Sequence, residues 1–245
     1  MRIPRCYTNQ QLTPHQSISL EEEPAHHLRH VLRMRTGNQI ILFDNSGDEY
    51  QAHLDQVTKQ GVTALSGKKL RHETESQLMI HLIIGISRGE RMDLVLQKAT
   101  ELGVTHITPC LTQRCVVKLD NKKRANRMTH WRRIIVSACE QSGRCRLPLL
   151  DEPVELSTAI AQQNSDLALV LDPGGKQPIS EIPPPKSSVS ILIGPEGGLS
   201  DGERDQALQQ GFLGLRLGPR ILRTETAPLA AIAAIQTLWG DFKVL

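Results

Sequence analysis

From Leu78 onward the chain alternates apolar runs of strand length with stretches of helical periodicity, and this rhythm limits its fold more than any other feature. "LMIHLIIGI" (78–86) is an apolar run of strand length, and "VTHITPC" (104–110), "LALVLD" (167–172), "VSILIG" (189–194) and "LGLRLG" (213–218) read as further strands that alternate with helices. That order implies a mostly parallel sheet with helices covering both faces. Between the first two runs, Met92, Val95, Leu96 and Ala99 fall on one helical face. Ser87 and Glu90 have the spacing of a capping box at its start, and Gly103 stands where a left-handed helix end is wanted. A second helix is expected over roughly 127–141, with Trp131, Ile134, Ile135 and Ala138 on its buried stripe. A third begins at Ser200 with Glu203 as capping partner. "TAPLAAIAAIQTLWG" (226–240) closes the pattern as an Ala-rich apolar helix, with Pro228 tolerable in its first turn. "DPGGKQPISEIPPPKSS" (172–188) carries too much proline for regular structure.

Residues 1 to about 70 have a different texture. Apolar-alternating runs flank Asp44-Asn45-Ser46-Gly47, a hairpin signal, and "GVTALSGKKL" (61–70) offers a further strand. "PAHHLRHVLRM" (24–34) predicts one short helix ended by Gly37. The region reads as a small β-rich barrel, joined through the polar "RHETESQ" (71–77) to the alternating segment. The chain therefore divides into residues 1–72 and 73–245, and no internal repeat is visible. Aromatic residues are only 3%, so aliphatic side chains must fill both cores. Five cysteines without a CxxC pair suggest reduced thiols, and Cys110, Cys115 and His106 do not have the spacing of zinc ligands, so no metal is expected. The N-terminus "MRIPRCYTNQQL" has no apolar leader, and no apolar stretch reaches the roughly 18 residues that span a bilayer. The expectation is a soluble, cytoplasmic protein.

The stretch "ILIGPEGGLSDGE" (191–203) runs from strand through a glycine-rich turn to a helix start, as phosphate-binding loops do. Neither familiar phosphate loop fits. A dinucleotide fingerprint from Gly194 needs glycines where Glu196 and Leu199 stand, and no Gly-Lys-Ser/Thr follows for a Walker loop. Glu196 would moreover repel a pyrophosphate. "LRLGPRILRTETAPLAA" (215–231) repeats the strand, Gly-Pro turn and helix entry. Two such turns at the carboxyl ends of neighbouring strands form the usual ligand crevice of an open α/β sheet. Pro195 and Pro219 fix φ, whereas Gly194, Gly197, Gly198 and Gly218 let backbone come close to a ligand. Backbone polar groups would read the edges of a purine, and Ile193, Leu217, Ile221 and Leu222 would cover its faces. An adenosyl group without phosphates suits this environment.

"IGPEGGLSDGE" with "LGPRILRTETAPLAAIAAIQ" resembles the signature of SPOUT methyltransferases, and most of all the family that methylates uracil N3 of a uridine in bacterial 16S ribosomal RNA. "RMDLVLQKATELGV", "QRCVVK", "EQSGR" and "MRIPRCY" resemble further blocks of that family, so the likeness spans essentially the whole chain. Leu199 departs from it, since an aromatic residue is expected after the glycines. The resemblance implies an α/β fold with a SPOUT-type C-terminal domain containing a deep trefoil knot, plus a PUA-like N-terminal β-barrel that binds RNA. It implies S-adenosylmethionine in the crevice, with Leu171 and Thr224 added to its contacts, and a homodimer acting on 16S rRNA within the small ribosomal subunit. Methylation at uracil N3 requires loss of a proton from that nitrogen. Arg223 would stabilise the developing uracil anion or hold a phosphate, and Glu196 or Glu225 would accept the proton.

Net charge is only +3, yet Arg114, Lys118, Lys122, Lys123, Arg124, Arg127, Arg132 and Arg133 crowd one segment opposed by Asp120 alone. Phosphate contacts are expected from Lys118, Lys122, Lys123 and Arg124, from Arg2, Arg5, Arg29 and Arg33 in the N-terminal region, and from Arg144 contributed by a partner subunit. Stacking aromatics are scarce, so folded RNA shape should matter more than stacked bases. Two other classes compete: a different nucleotide enzyme such as a dehydrogenase, disfavoured by the failed spacing, and a non-catalytic RNA-binding protein that keeps the fold.

Overall fold

The computed structural model describes residues 3–70, 74–117, 120–175 and 177–242. They form two compact units, Met1–Glu75 with Val136–Leu147, and Ser76–Ile135 with Pro148–Leu245. The segment 136–147, which the sequence division places in the second part, belongs to the first unit.

The first unit is built on five strands: β1 (Arg5–Tyr7), β2 (Ser17–Ser19), β3 (Gln39–Phe43), β4 (Glu49–Val57) and β5 (Val62–Leu70). They run in the order β1-β3-β4-β5-β2, with β1 parallel to β3 and every other pair antiparallel. The β3–β4 hairpin turns where Asp44–Gly47 predicted it. Asn45 and Gly47 take φ of 72° and 98°, and the Asp44 carboxylate accepts the Ser46 N–H at 3.1 Å and the Leu12 N–H at 2.8 Å. A short helix α1 (Glu22–His26) continues into a π-helical turn over His27–Val31. It drops Leu28 into a core with Ile18, Ile40, Leu42, Leu54 and Ala64. Fully burying side chains of this size is worth about 1.5–3 kcal/mol each.

The second unit carries β6 (Met79–Gly85), α2 (Glu90–Glu101), β7 (His106–Leu111) and the start of α3 (Asn121–Ser142), whose last turns belong to the first unit. It continues through β8 (Leu149–Leu150), β9 (Val154–Glu155), α4 (Leu156–Gln162), β10 (Leu167–Leu171), β11 (Ser188–Ile193), α5 (Asp201–Gln209), β12 (Leu213–Leu215) and α6 (Thr226–Leu238). The sheet order is β12-β10-β11-β6-β7-β8, with β9 beside β7, and every pairing is parallel. Ile83, Ile191, Leu192, Leu169 and Val170 are sealed from solvent along the central strands, as uninterrupted apolar runs require.

Three local expectations are corrected. Helix α2 starts at Glu90 behind Gly89, whose φ of 44° lets the chain turn into the helix without a side-chain cap. Ser87 is left outside, buried, and serves the site described below rather than a capping box. Helix α3 begins at Asn121, ahead of the expected 127. The last strand ends at Leu215 because Arg216 leaves the sheet, its Nε donating to the Gly218 carbonyl at 3.1 Å. By contrast, the Ser200–Glu203 capping box of α5 is complete in both directions, and Gly103 takes the expected left-handed φ of 88°.

Candidate cofactor and active site

β10, β11 and β12 end side by side at Leu171, Ile193 and Leu215, and a cavity of about 870 Å³ opens at these carboxyl ends. One wall is the Gly194–Leu199 turn after β11, the other the 216–225 segment that leads into α6. Glycine is obligatory at the first turn's entrance: a Cβ on Gly194 would stand 2.7 Å from the carbonyl carbon of Gly198 and the nitrogen of Leu199. Gly85, in the neighbouring β6, has the same constraint against the Pro195 ring. Gly198 and Gly218 take φ of 70° and 73°, conformations that side-chain-bearing residues avoid.

Hydrogen bonds tie the two turns to each other and to the segment after β6. The buried Thr224 hydroxyl donates to the Gly194 carbonyl at 3.1 Å and lies 3.2 Å from the Ser87 hydroxyl. Glu196 accepts the Arg88 backbone N–H at 2.9 Å and a guanidinium N–H of Arg91 at 3.1 Å. Arg114 donates to the Gly197 carbonyl at 3.0 Å. Each bond contributes about 1 kcal/mol net, so together they hold two otherwise irregular loops in one arrangement.

The lining combines aliphatic surface from Leu171, Ile193, Leu215, Leu217 and Leu222 with backbone N–H and C=O groups of the turns. Six arginines (Arg91, Arg114, Arg204, Arg216, Arg220, Arg223) face three carboxylates (Asp172, Glu196, Glu225) around it, so the opening is net cationic. Burial alone would raise the Glu196 pKa, but the bonds from Arg88 N–H and Arg91 outweigh that and hold its carboxyl below the usual range. Glu225 differs. Its Oε2 is buried and has no hydrogen-bond partner among the described residues, with Arg91 Nε 3.8 Å away. Such an acceptor suits a donor brought by a ligand.

The structure gathers at this cavity Leu171, Ile193, Gly194, Pro195, Gly197, Gly198, Leu217, Gly218, Ile221, Leu222 and Thr224, along with Arg223, Glu196 and Glu225. Sequence reasoning passed over Arg91, Ser87, Asp172, Arg204, Arg216 and Arg220. Asp172 had a signal, a charged residue closing an apolar strand at its carboxyl end. Arg91 opens the family-like block "RMDLVLQKATELGV" but nothing there points to the cavity, and Ser87 had no signal, because only the sheet order brings the end of β6 beside that of β11.

The basic residues divide. Lys122 and Lys123 are exposed at the start of α3, with Lys123 paired to Asp120 at 3.1 Å, and Arg124 is half-buried. Arg29 lies on the surface turn beside His30, donating to the Thr58 carbonyl, and Arg33 is exposed. Arg2 and Lys118 fall outside the described residues. Arg5 and Arg144 are corrections. Their side chains are only 5% and 4% exposed, Arg5 paired with Glu49 and Arg144 with Glu75 at 2.7 Å, so both guanidiniums act inside the first unit rather than on its surface.

A parallel sheet with a rigid, backbone-lined cavity at its carboxyl edge defines a small-ligand-binding α/β domain. The model of a family described as an RNA methyltransferase domain matches residues 74–236, and that of an RNA methyltransferase PUA domain matches 20–65. "Ribosomal RNA small subunit methyltransferase E" of Buchnera aphidicola (Schizaphis graminum) is 36% identical over 98% of both chains, and its Bacillus subtilis namesake is 34% identical over 96% of both. The chain belongs to this RNA methyltransferase family. Among solved structures, the Legionella pneumophila putative methyltransferase in complex with bound SAM superposes with a TM-score of 0.96 at 41% identity, covering 99% of this chain and 100% of that one. The Neisseria gonorrhoeae ribosomal RNA small subunit methyltransferase E bound to S-adenosyl methionine gives a TM-score of 0.93 at 40% identity, with the same coverage. No helix among the described residues is long and apolar enough to cross a membrane.

Proposed function

We propose that the protein transfers a methyl group from S-adenosylmethionine to N3 of a specific uridine in 16S rRNA of the small ribosomal subunit. The observation that carries this reading is the pair of hydrogen-bonded turns at the carboxyl ends of β11 and β12, in a chain with relatives named ribosomal RNA small subunit methyltransferase E and solved neighbours that hold S-adenosylmethionine. The residues fit the group. The cavity supplies aliphatic faces and backbone edges for an adenosyl moiety and lacks a glycine-lysine cradle for phosphates. The bound cofactor supplies the electrophilic methyl.

What remains is for the chain's own side chains to hold the uracil in line, exclude water and take up the N3 proton. Glu225 is the better placed acceptor, since its Oε2 accepts no hydrogen bond among the described residues and only a 3.8 Å ion pair from Arg91, whereas Glu196 is hydrogen-bonded to both Arg88 and Arg91. The exposed Arg223 guanidinium stands at the cavity and favours the uracil anion or a flanking phosphate. N3 is occupied by pairing in a duplex, so the base enters unpaired or flipped. The reading includes residues 1–72 as an RNA-binding PUA-like barrel and 73–245 as the methyltransferase domain. It also takes the two turns, tied together by the Thr224 bond to Gly194, as part of a trefoil knot in which the C-terminal segment is threaded through a loop. Two copies are proposed per molecule. Helix α6 leaves Leu229, Ala230, Ala233 and Ala234 partly covered, and Ile221 is 85% exposed.

The test is incubation with tritiated S-adenosylmethionine and small ribosomal subunits, or their RNA, from a strain lacking the protein, followed by mass mapping. One methyl on uracil N3 is expected. Label on another atom, or none on either substrate, overturns the assignment.

A further inference from the structure

At the opposite end of the second unit's sheet from the cavity, His81, His106 and Asp151 bring their ligand atoms within 4.8 Å of one another. We propose that these three side chains form a binding site for one divalent transition-metal ion of the zinc class. Their placement follows from the backbone. His81 lies near the amino end of β6 and His106 begins β7, and the two are direct neighbours in the parallel register. Asp151 is fixed alongside by its N–H, which donates to the Ile107 carbonyl at 3.0 Å.

The polar atoms are already gathered on one point. Asp151 Oδ2 accepts the Thr108 hydroxyl at 2.5 Å and lies 2.6 Å from His106 Nε2, while His81 Nε2 is 2.7 Å from the same Thr108 hydroxyl. Two imidazole nitrogens and a carboxylate oxygen are the donor set of zinc and its neighbours rather than of magnesium or calcium. A tetrahedral ion with bonds of about 2.1 Å needs donors roughly 3.4 Å apart, so each need move only by an ångström or so. The rings are now stacked, 3.9 Å between centroids and 6° between planes, and must turn apart to aim both nitrogens at one ion. Metal binding at Nε2 moves the hydrogen that each ring now directs from Nε2, to Asp151 for His106 and to the Thr108 hydroxyl for His81, over to Nδ1. His106 and Asp151 are 31% and 34% exposed, which leaves an entry path. A serine network fits as outer support, with the Ser190 hydroxyl 3.4 Å from His81 Nδ1.

The site does not rest on the proposed methyl transfer. It lies at the amino ends of strands whose carboxyl ends reach the cavity's side of the sheet, so cofactor binding should be indifferent to it. The experiment is calorimetric titration of the chelator-stripped full chain with zinc chloride, repeated on His106→Gln and Asp151→Asn, with S-adenosylmethionine affinity measured in parallel. The expected result is one ion per chain for the wild type, affinity falling in each variant by more than the roughly 10–100-fold typical of lost supporting contacts, and a melting temperature raised by zinc only in the wild type. A wild type that takes up no zinc overturns the proposal. So do variants that bind zinc as well as the wild type, which would place the ion elsewhere, for instance at the neighbouring rings of His26 and His30. Circular dichroism of the variants confirms that a lost site is not a lost fold.

Discussion

At the scale of single residues, the contrast between Glu196 and Glu225 decides how the cavity works. Both are carboxylates lining the cavity, one on each wall, yet one holds loops together and the other keeps an oxygen that accepts no hydrogen bond among the described residues. Glu225→Gln should therefore slow methyl transfer by about 10²–10⁴, the usual contribution of a positioned base, with cofactor affinity nearly unchanged. Glu196→Gln weakens the pairing to Arg91 and should appear mainly as weaker cofactor binding. Calorimetry and single-turnover kinetics on the two variants separate these outcomes, and equal losses in both would remove the distinction. The sequence showed both glutamates inside matching motifs but not which was engaged, because their partners Arg88 and Arg91 lie about a hundred positions away and meet them only through the pairing of β6 with β11. Arg5 and Arg144 teach the converse. An arginine looks like a phosphate contact until the fold supplies a carboxylate partner, Glu49 for Arg5 and Glu75 for Arg144. Glu49→Ala, which strands the Arg5 charge, should cost about 3–5 kcal/mol in denaturant unfolding.

At the scale of elements, the end of α3 and the two turns carry the testable physics. Burial pushes the Glu140 carboxyl up to about 7, against the opposing bond from the Tyr7 N–H, which it accepts at 3.0 Å. A carboxyl whose folded pKa is raised binds its proton more tightly when folded. Its favourable contribution is thus complete below the ordinary value of 4.5 and fades as pH rises towards about 7. Glu140→Gln should match the wild type near pH 4 and exceed it near pH 8 by an amount on the order of 3 kcal/mol in urea melts. A constant difference across that range would contradict this. Leu222→Asp, which places a charge against the adenosyl faces, should abolish S-adenosylmethionine binding while leaving the thermal transition in place. Charge reversal at Lys122, Lys123 and Arg124 should weaken RNA binding and flatten its dependence on salt. The apolar strands and the Ser200–Glu203 cap were legible because each is set by local sequence. The start of α2 was not, since Gly89's backbone freedom overrode a well-spaced Ser87–Glu90 pair and released Ser87 for the buried contact with Thr224.

For the whole molecule, the fold explains why a modestly charged chain can act on RNA. Cationic groups are not spread evenly but concentrate around the cavity mouth and the start of α3, where phosphates would be met. The parallel sheet was readable from the rhythm of the sequence. The inclusion of 136–147 in the first unit was not, because a helix pattern carries no mark of the residues on which its two halves pack. The central claim is that the Gly194–Leu199 turn and the 216–225 segment grip one adenosyl group. A crystal of the full chain grown with S-adenosylmethionine tests it most directly. The account predicts the purine between the backbone of these two segments, with Ile193 and Leu222 against its faces. Cofactor density at any other place in the chain, with both segments bare, would contradict it.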